Sequence, residues 1–155
     1  MPELTFTVNG TLRTIAVDPH DSLLDVLRER LALVGTKRGC DQATCGACTV
    51  LLDDQPVLSC ITPALRCQNR RVQTIEGVAV NGKLHPVQES LVESGGIQCG
   101  FCTPGMVMTI LAFLRDNPDP TETEIRTALS GNFCRCTGYA KIVTAVKHAA
   151  EATRA

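Results

Sequence analysis

Cys40-Asp-Gln-Ala-Thr-Cys45-Gly-Ala-Cys48 sets three thiols at the spacing C-x4-C-x2-C, and Cys60 adds a fourth farther along. This is the spacing of plant-type [2Fe–2S] sites. Such a run continues neither as a helix nor as a strand. It wraps a loop around a small inorganic body. Gly39 and Gly46 stand beside ligands, where a backbone without side chains can turn sharply and aim N–H groups at sulfur. Those hydrogen bonds help set a cluster's potential, together with its charge and exposure. The other reading of Cys40, Cys45, Cys48 and Cys60 is a structural zinc site, although zinc ribbons usually pair their ligands as C-x2–4-C.

The flanks of this loop alternate at period two. Leu4, Phe6 and Val8 interleave with Thr5 and Thr7, and Asn9-Gly10 is a two-residue hairpin signal before a second strand bearing Leu12, Ile15 and Val17. Ser22 is placed to cap a helix whose Leu23, Leu24, Leu27 and Leu31 share one stripe. After the loop come Thr49-Val-Leu-Leu, a turn at Asp53-Asp54, and Val57-Leu58. A short strand near Val72 to Ile75 is expected to close the sheet. Hairpin, crossing helix and further strands make a β-grasp arrangement.

The second half changes to helical periods. Pro86 opens a helix to about Glu93, and Gly95-Gly96 ends it. Pro104 stands where the next begins, with Val107, Ile110, Leu111 and Leu114 on one face and Asn117-Pro118 as the stop. Thr121-Glu-Thr-Glu124 reads as a capping box. A last helix from about Gly138 carries Ile142, Val146 and Ala149 on one side. The expected fold class is α+β, with residues 1–76 a β-grasp [2Fe–2S] domain, 77–85 a linker and 86–155 a four-helix bundle.

Two connecting loops of the helical half hold Cys99-Gly-Phe-Cys102 and Cys134-Arg-Cys136. Alone, C-x2-C with C-x-C suits zinc, an iron–sulfur cluster or a redox dithiol. Beside the first set, a second cluster is the stronger reading. Neither set includes histidine, which a Rieske centre would need. His20 and His85 read as loop residues, and His148 as part of a polar helix face. Cys67 is left over and reads as a buried, inert thiol. Thr36-Lys37-Arg38 reads as a solvated face, with docking of a partner as its second meaning.

Composition narrows the function class. Formal net charge is −1, and no Lys/Arg cluster marks a nucleic acid or an anionic membrane as a partner. The longest apolar run, Met106 to Leu114, is too short to span a bilayer. The first residues already form a strand pattern, so no secretory leader is expected. Nine cysteines are an odd number, and dense thiols in a reducing, cytoplasmic setting point to metal rather than disulfides. No G-x-G-x-x-G after a strand, no P-loop and no Ser/His/Asp grouping is present. Two electron carriers without a substrate site imply a component of a larger enzyme. A free two-cluster carrier is the alternative.

Gly35-Thr-Lys-Arg-Gly-Cys40-Asp-Gln-Ala-Thr-Cys45-Gly-Ala-Cys48-Thr-Val50 resembles the first cluster motif of the xanthine oxidase family of molybdenum hydroxylases. Gln98-Cys99-Gly-Phe-Cys102-Thr-Pro-Gly-Met106 and Gly131-Asn-Phe-Cys134-Arg-Cys136-Thr-Gly-Tyr139 resemble its second. The resemblance covers nearly the whole chain, in order, and matches the separate small subunit of multi-subunit members. It implies a plant-ferredoxin-like domain followed by a four-helix domain. It also implies two clusters, one on Cys40, Cys45, Cys48 and Cys60 and one on Cys99, Cys102, Cys134 and Cys136. By the same resemblance the second cluster faces molybdopterin on a large subunit, which Gln98 contacts. The first faces FAD on a medium subunit, and the assembly is a dimer of heterotrimers. Electrons would run from the molybdenum site through both clusters to flavin or an external acceptor, with no substrate chemistry on this chain.

Overall fold

A computed structural model describes residues 1–155 as a five-stranded sheet joined to a helical half. Strand β1 (Glu3–Val8) pairs with β2 (Thr11–Ala16) antiparallel, from Glu3 opposite Ala16 to Val8 opposite Thr11. Their two-residue turn needs positive φ twice, which Asn9 (48°) and Gly10 (81°) supply. Asp53 (48°) and Asp54 (67°) do the same between β3 (Thr49–Leu52) and β4 (Gln55–Leu58).

The last strand, β5 (Arg71–Gln73), departs from expectation in place rather than in kind. It lies in the middle of the sheet, order β2-β1-β5-β3-β4, parallel to β1 and antiparallel to β3. The helix after Ser22 also differs. One turn, α1 (Leu23–Asp25), widens at Val26–Arg30 so that the Leu31 N–H reaches back to the Val26 carbonyl at 3.1 Å. That π-type turn shifts the buried stripe to Leu23, Leu24, Val26 and Leu27, leaving Leu31 half-buried.

The helices are α2 (Pro86–Glu93), α3 (Thr103–Asp116), α4 (Glu122–Ala128) and α5 (Ala140–Arg154). Thr121 and Glu124 form the capping box foreseen for α4. His85 is a helix cap, its ring nitrogen Nδ1 accepting the Val87 N–H at 3.2 Å, where the sequence suggested only a loop.

Strand β3 is buried on both faces because it divides two cores. Val50 and Leu52 join Leu4, Phe6, Leu23 and Leu27 under the sheet. Leu51 points the other way and joins Leu91, Ile110, Ile142 and Val146 among the helices. Val78, from the segment between the halves, is buried in the same helical core. Each fully buried aliphatic side chain contributes about 1.5–3 kcal/mol, so alternation along one short strand binds the two halves to one another. No helix is long and apolar enough to cross a membrane.

Candidate metal centres

The Cys40–Cys48 loop is shaped by residues outside the helical and extended regions. Asp41 (φ 55°), Ala43 (61°) and Gly46 (75°) all turn left-handed. The Gln42, Thr44 and Cys45 N–H groups then converge on the Cys40 sulfur at 3.5, 3.3 and 3.3 Å. These donors, led by Gln42, pull the Cys40 thiol down to about 7. They favour a negatively charged sulfur, whether a free thiolate or an iron ligand. Gly39 serves a different need. A Cβ there would lie 2.6 Å from the Cys45 sulfur.

Charge anchors the loop. Arg38 spans Asp41 at 2.7 Å and Asp25 at 2.6 Å, and those two carboxylates, Asp41 foremost, raise its already high pKa. Lys37 donates to the Val34 carbonyl at 2.9 Å, and Thr36 is buried. The stretch read as a solvated or docking face is therefore largely engaged within the chain. Burial pushes Asp25 upward, but the Ser22 hydroxyl and N–H and then Arg38 outweigh it and hold the carboxyl below its ordinary value. Asp25 thus stabilises the fold above the ordinary carboxylate pKa, and this contribution is lost as pH falls through its depressed folded value. Asp25→Ala removes half of the Ser22 capping box and one anchor of Arg38. It is expected to cost about 1 kcal/mol and to flatten acid unfolding over that pH window, as measured by denaturant titration at a series of pH values.

Cys60 follows β4, and its thiol hydrogen-bonds that of Cys48, which burial pushes up to about 11. The Cys40 and Cys45 thiols form the matching pair. In the helical half, Cys102 pairs with Cys134 and Cys99 with Cys136. Cys102 caps α3 and is raised to about 12, chiefly by burial. Burial also raises Cys134, but hydrogen bonds from the Thr137 hydroxyl and N–H prevail, and its thiol is lowered. Cys99, Cys136 and Gln98 are exposed.

The eight cysteines thus gather as two sets, with thiol contacts linking Cys40 to Cys45, Cys48 to Cys60, Cys102 to Cys134 and Cys99 to Cys136. Pairs set side by side suit a dinuclear core, in which each iron takes two thiolates. A structural zinc gathers four thiolates about one centre. The donor sets fit [2Fe–2S] clusters. Cys67 stands apart, fully buried among the sheet-core residues, and burial raises its thiol to about 11.

The structure gives individual tasks to residues that the sequence showed only as part of the second motif. Tyr139, the one tyrosine, sits at φ 69°. Its hydroxyl accepts the Cys134 N–H at 2.8 Å and donates to the Asn132 carbonyl at 2.9 Å, pinning the second ligand loop. Thr137 contacts the Cys134 sulfur at 3.0 Å. A lone tyrosine in an aromatic-poor chain was the available signal. The two ligand loops also touch. The Phe133 N–H donates to the Cys45 carbonyl at 2.8 Å, and the buried Asn132 amide donates to the Gly46 carbonyl at 3.2 Å.

Comparison with known proteins gives a consistent set. Residues 6–69 match a family model described as a 2Fe-2S iron-sulfur cluster binding domain, and residues 74–147 match a [2Fe-2S] binding domain. The nicotinate dehydrogenase small FeS subunit of Eubacterium barkeri is 47% identical over 148 residues, covering 96% of this chain and 94% of that one. Aldehyde oxidase 1 of Oryctolagus cuniculus is 46% identical over 94% of this chain, which spans 12% of that much longer protein. Quinoline 2-oxidoreductase from Pseudomonas putida 86 superposes with a TM-score of 0.96 at 42% identity, over 99% of this chain and 96% of that chain.

Proposed function

The chain belongs to the small iron–sulfur subunits of the xanthine oxidase family of molybdenum hydroxylases, and from that premise we propose how its residues carry electrons for a larger oxidoreductase. Its part is electron transfer, with substrate chemistry on another chain. Cys40, Cys45, Cys48 and Cys60 hold one [2Fe–2S] cluster, and Cys99, Cys102, Cys134 and Cys136 hold the other. Bound there, each cluster takes up and releases one electron at a time. The single observation that carries this reading is the pairing of the eight thiols two by two.

The chain's own groups have separate tasks. N–H donors of Gln42, Thr44 and Cys45 stabilise negative charge at Cys40. Thr137 and the Tyr139 hydroxyl hold the Cys134 loop. Cys48, buried, and Cys102, half-buried, favour the protonated thiol, so loading of iron must displace their protons and couples assembly to pH.

The second cluster's exposed side, with Cys99, Cys136 and Gln98, packs against a large molybdopterin subunit and receives electrons first. Phe101 and Phe133, exposed in a chain with only four phenylalanines, stand beside those ligands and support burial of this face by a partner. The Cys40–Cys48 loop passes electrons on to FAD in a medium subunit or to an external acceptor, in a dimer of heterotrimers. The dense thiols suit a cytoplasmic setting. A free two-cluster carrier is disfavoured, because dedicated small subunits match this chain almost end to end.

Metal analysis of the holo-protein should find four irons and four acid-labile sulfides, about two per thiol set. Reduction should bring up two paramagnetic resonance signals. Two irons with one signal, or stoichiometric zinc, would contradict the reading.

A further inference from the structure

The loop that carries Cys134 and Cys136 holds a side-chain hydroxyl against a ligand sulfur. The Thr137 hydroxyl oxygen lies 3.0 Å from the Cys134 sulfur. Its direction is fixed from behind. The Tyr139 N–H donates to that oxygen at 3.3 Å, so the hydroxyl's own hydrogen is left for the sulfur. Tyr139 makes this contact at φ 69°, a left-handed backbone that a bulky residue seldom adopts. Such strain persists where the surroundings over-determine it, and it gathers at functional sites. The Tyr139 hydroxyl clamps the start of the same loop, accepting the Cys134 N–H and donating to the Asn132 carbonyl. Asn132, only 4% exposed, donates in turn to the Gly46 carbonyl, and a Cβ on Gly46 would overlap the Gly131 carbonyl oxygen. A loop closed at both ends keeps the hydroxyl on the sulfur. The Cys40 sulfur differs, since its three donors are backbone N–H groups.

We infer that Thr137 sets the reduction potential of the second cluster, its hydroxyl donating to the Cys134 thiolate and favouring the reduced state. The inference rests on the ligand assignment proposed above and adds a tuning residue to it. Reduction brings one electron, and so one negative charge, onto the site. A hydrogen bond to an anionic sulfur strengthens as that charge grows, so the reduced form gains more than the oxidised form. The hydroxyl keeps its proton, and no bond to Thr137 breaks. The effect falls on the cluster placed to receive electrons first, where it makes their uptake more favourable.

The test is a potentiometric titration of the holo-chain, with both paramagnetic resonance signals followed as the potential is lowered. The second cluster's signal is the one that Cys102→Ser removes. Thr137→Val replaces the hydroxyl by a methyl group of similar size. It should weaken electron uptake by the second cluster roughly tenfold, a fall of about 59 mV for a one-electron couple. The first cluster's midpoint potential and the iron content should not change. Thr137→Ser keeps the hydroxyl and should keep the midpoint potential. Tyr139→Phe loosens the loop without touching the sulfur, and should lower stability at an unchanged midpoint potential. If the valine variant loses iron, Thr137→Ala removes the hydroxyl without added bulk and decides the question. An unchanged midpoint potential in the variant lacking the hydroxyl overturns the inference, as does an equal fall in Thr137→Ser or Tyr139→Phe. Loss of the second cluster from both the valine and the alanine variants also overturns it, because Thr137 would then hold the loop rather than set the potential. Stoichiometric zinc in the unmodified chain would instead refute the ligand assignment.

Discussion

Cys45→Ser is expected to abolish electron delivery to the final acceptor. The residue has three tasks, and the substitution spoils the one that matters most. Its N–H still reaches Cys40 and its carbonyl still accepts Phe133, but a hydroxyl replaces the thiolate that pairs with Cys40. One of the two resonance signals should vanish, with about half of the iron. Structural metals in small domains contribute on the order of 10 kcal/mol to folding, so the melting temperature should fall as well. The chain stays folded because Leu51 and Val78 tie the sheet to the helical core. Cys102→Ser should remove the other signal. Cys67→Ala should keep both, since that thiol lies in the sheet core away from either set. A bleached spectrum in Cys67→Ala, or a full iron content in Cys45→Ser, would overturn the ligand assignment.

The second large effect comes from a single methyl group. Gly105 opens the first turn of α3, where alanine is intrinsically better by about 1 kcal/mol. Here the added Cβ meets backbone: it overlaps the Gly46 carbonyl oxygen and lies 3.1 and 3.2 Å from Ala47 Cα and carbonyl carbon. Overpacking costs about 1–3 kcal/mol, and the upper end applies because no side chain can swing aside. Gly105→Ala should therefore lose about 2 kcal/mol net and speed amide exchange at Phe133, as the ligand loops move apart. Gly131→Ala is the matched control. Its Cβ meets nothing within 4 Å, and its stability should stay within about 0.5 kcal/mol of the parent. Equal denaturation midpoints for the two variants would show that the junction yields freely.

Where information is local, the fold can be read from the chain. Asn9-Gly10, Asp53-Asp54 and the Thr121–Glu124 box each specify their geometry within a few residues, and the structure has all three. The α+β class and the β-grasp arrangement follow from such signals, whereas the ferredoxin-like reading comes from the cysteine spacing and the family resemblance. What could not be read depends on distant partners. β5 is three residues long, and its place between β1 and β3 comes from pairings remote in sequence. The wide turn at Val26–Arg30 follows from packing under the sheet rather than from any breaker residue. Gly46, Gly105 and Gly131 look unrelated in a linear reading. Only folding brings them together, so their purpose is invisible until then. The eight cysteines were legible as two sets, but the partition into pairs, and the support from Tyr139 and Thr137, required coordinates.

The strand that divides the two cores bears on how this molecule can be cut, fused or inherited. The boundary near residue 77 looks like a place to separate two modules. An excised N-terminal half, however, would bare Leu51 on the outer face of β3, and an excised C-terminal half would lose the wall that completes its interior. Either fragment would carry a sticky surface inviting aggregation. Expression trials should therefore treat the pair as one cassette, with fusions joined at the chain termini rather than within the segment at 77–85. A gene rearrangement faces the same constraint, and the span matched in the much longer aldehyde oxidase includes both halves in the same order.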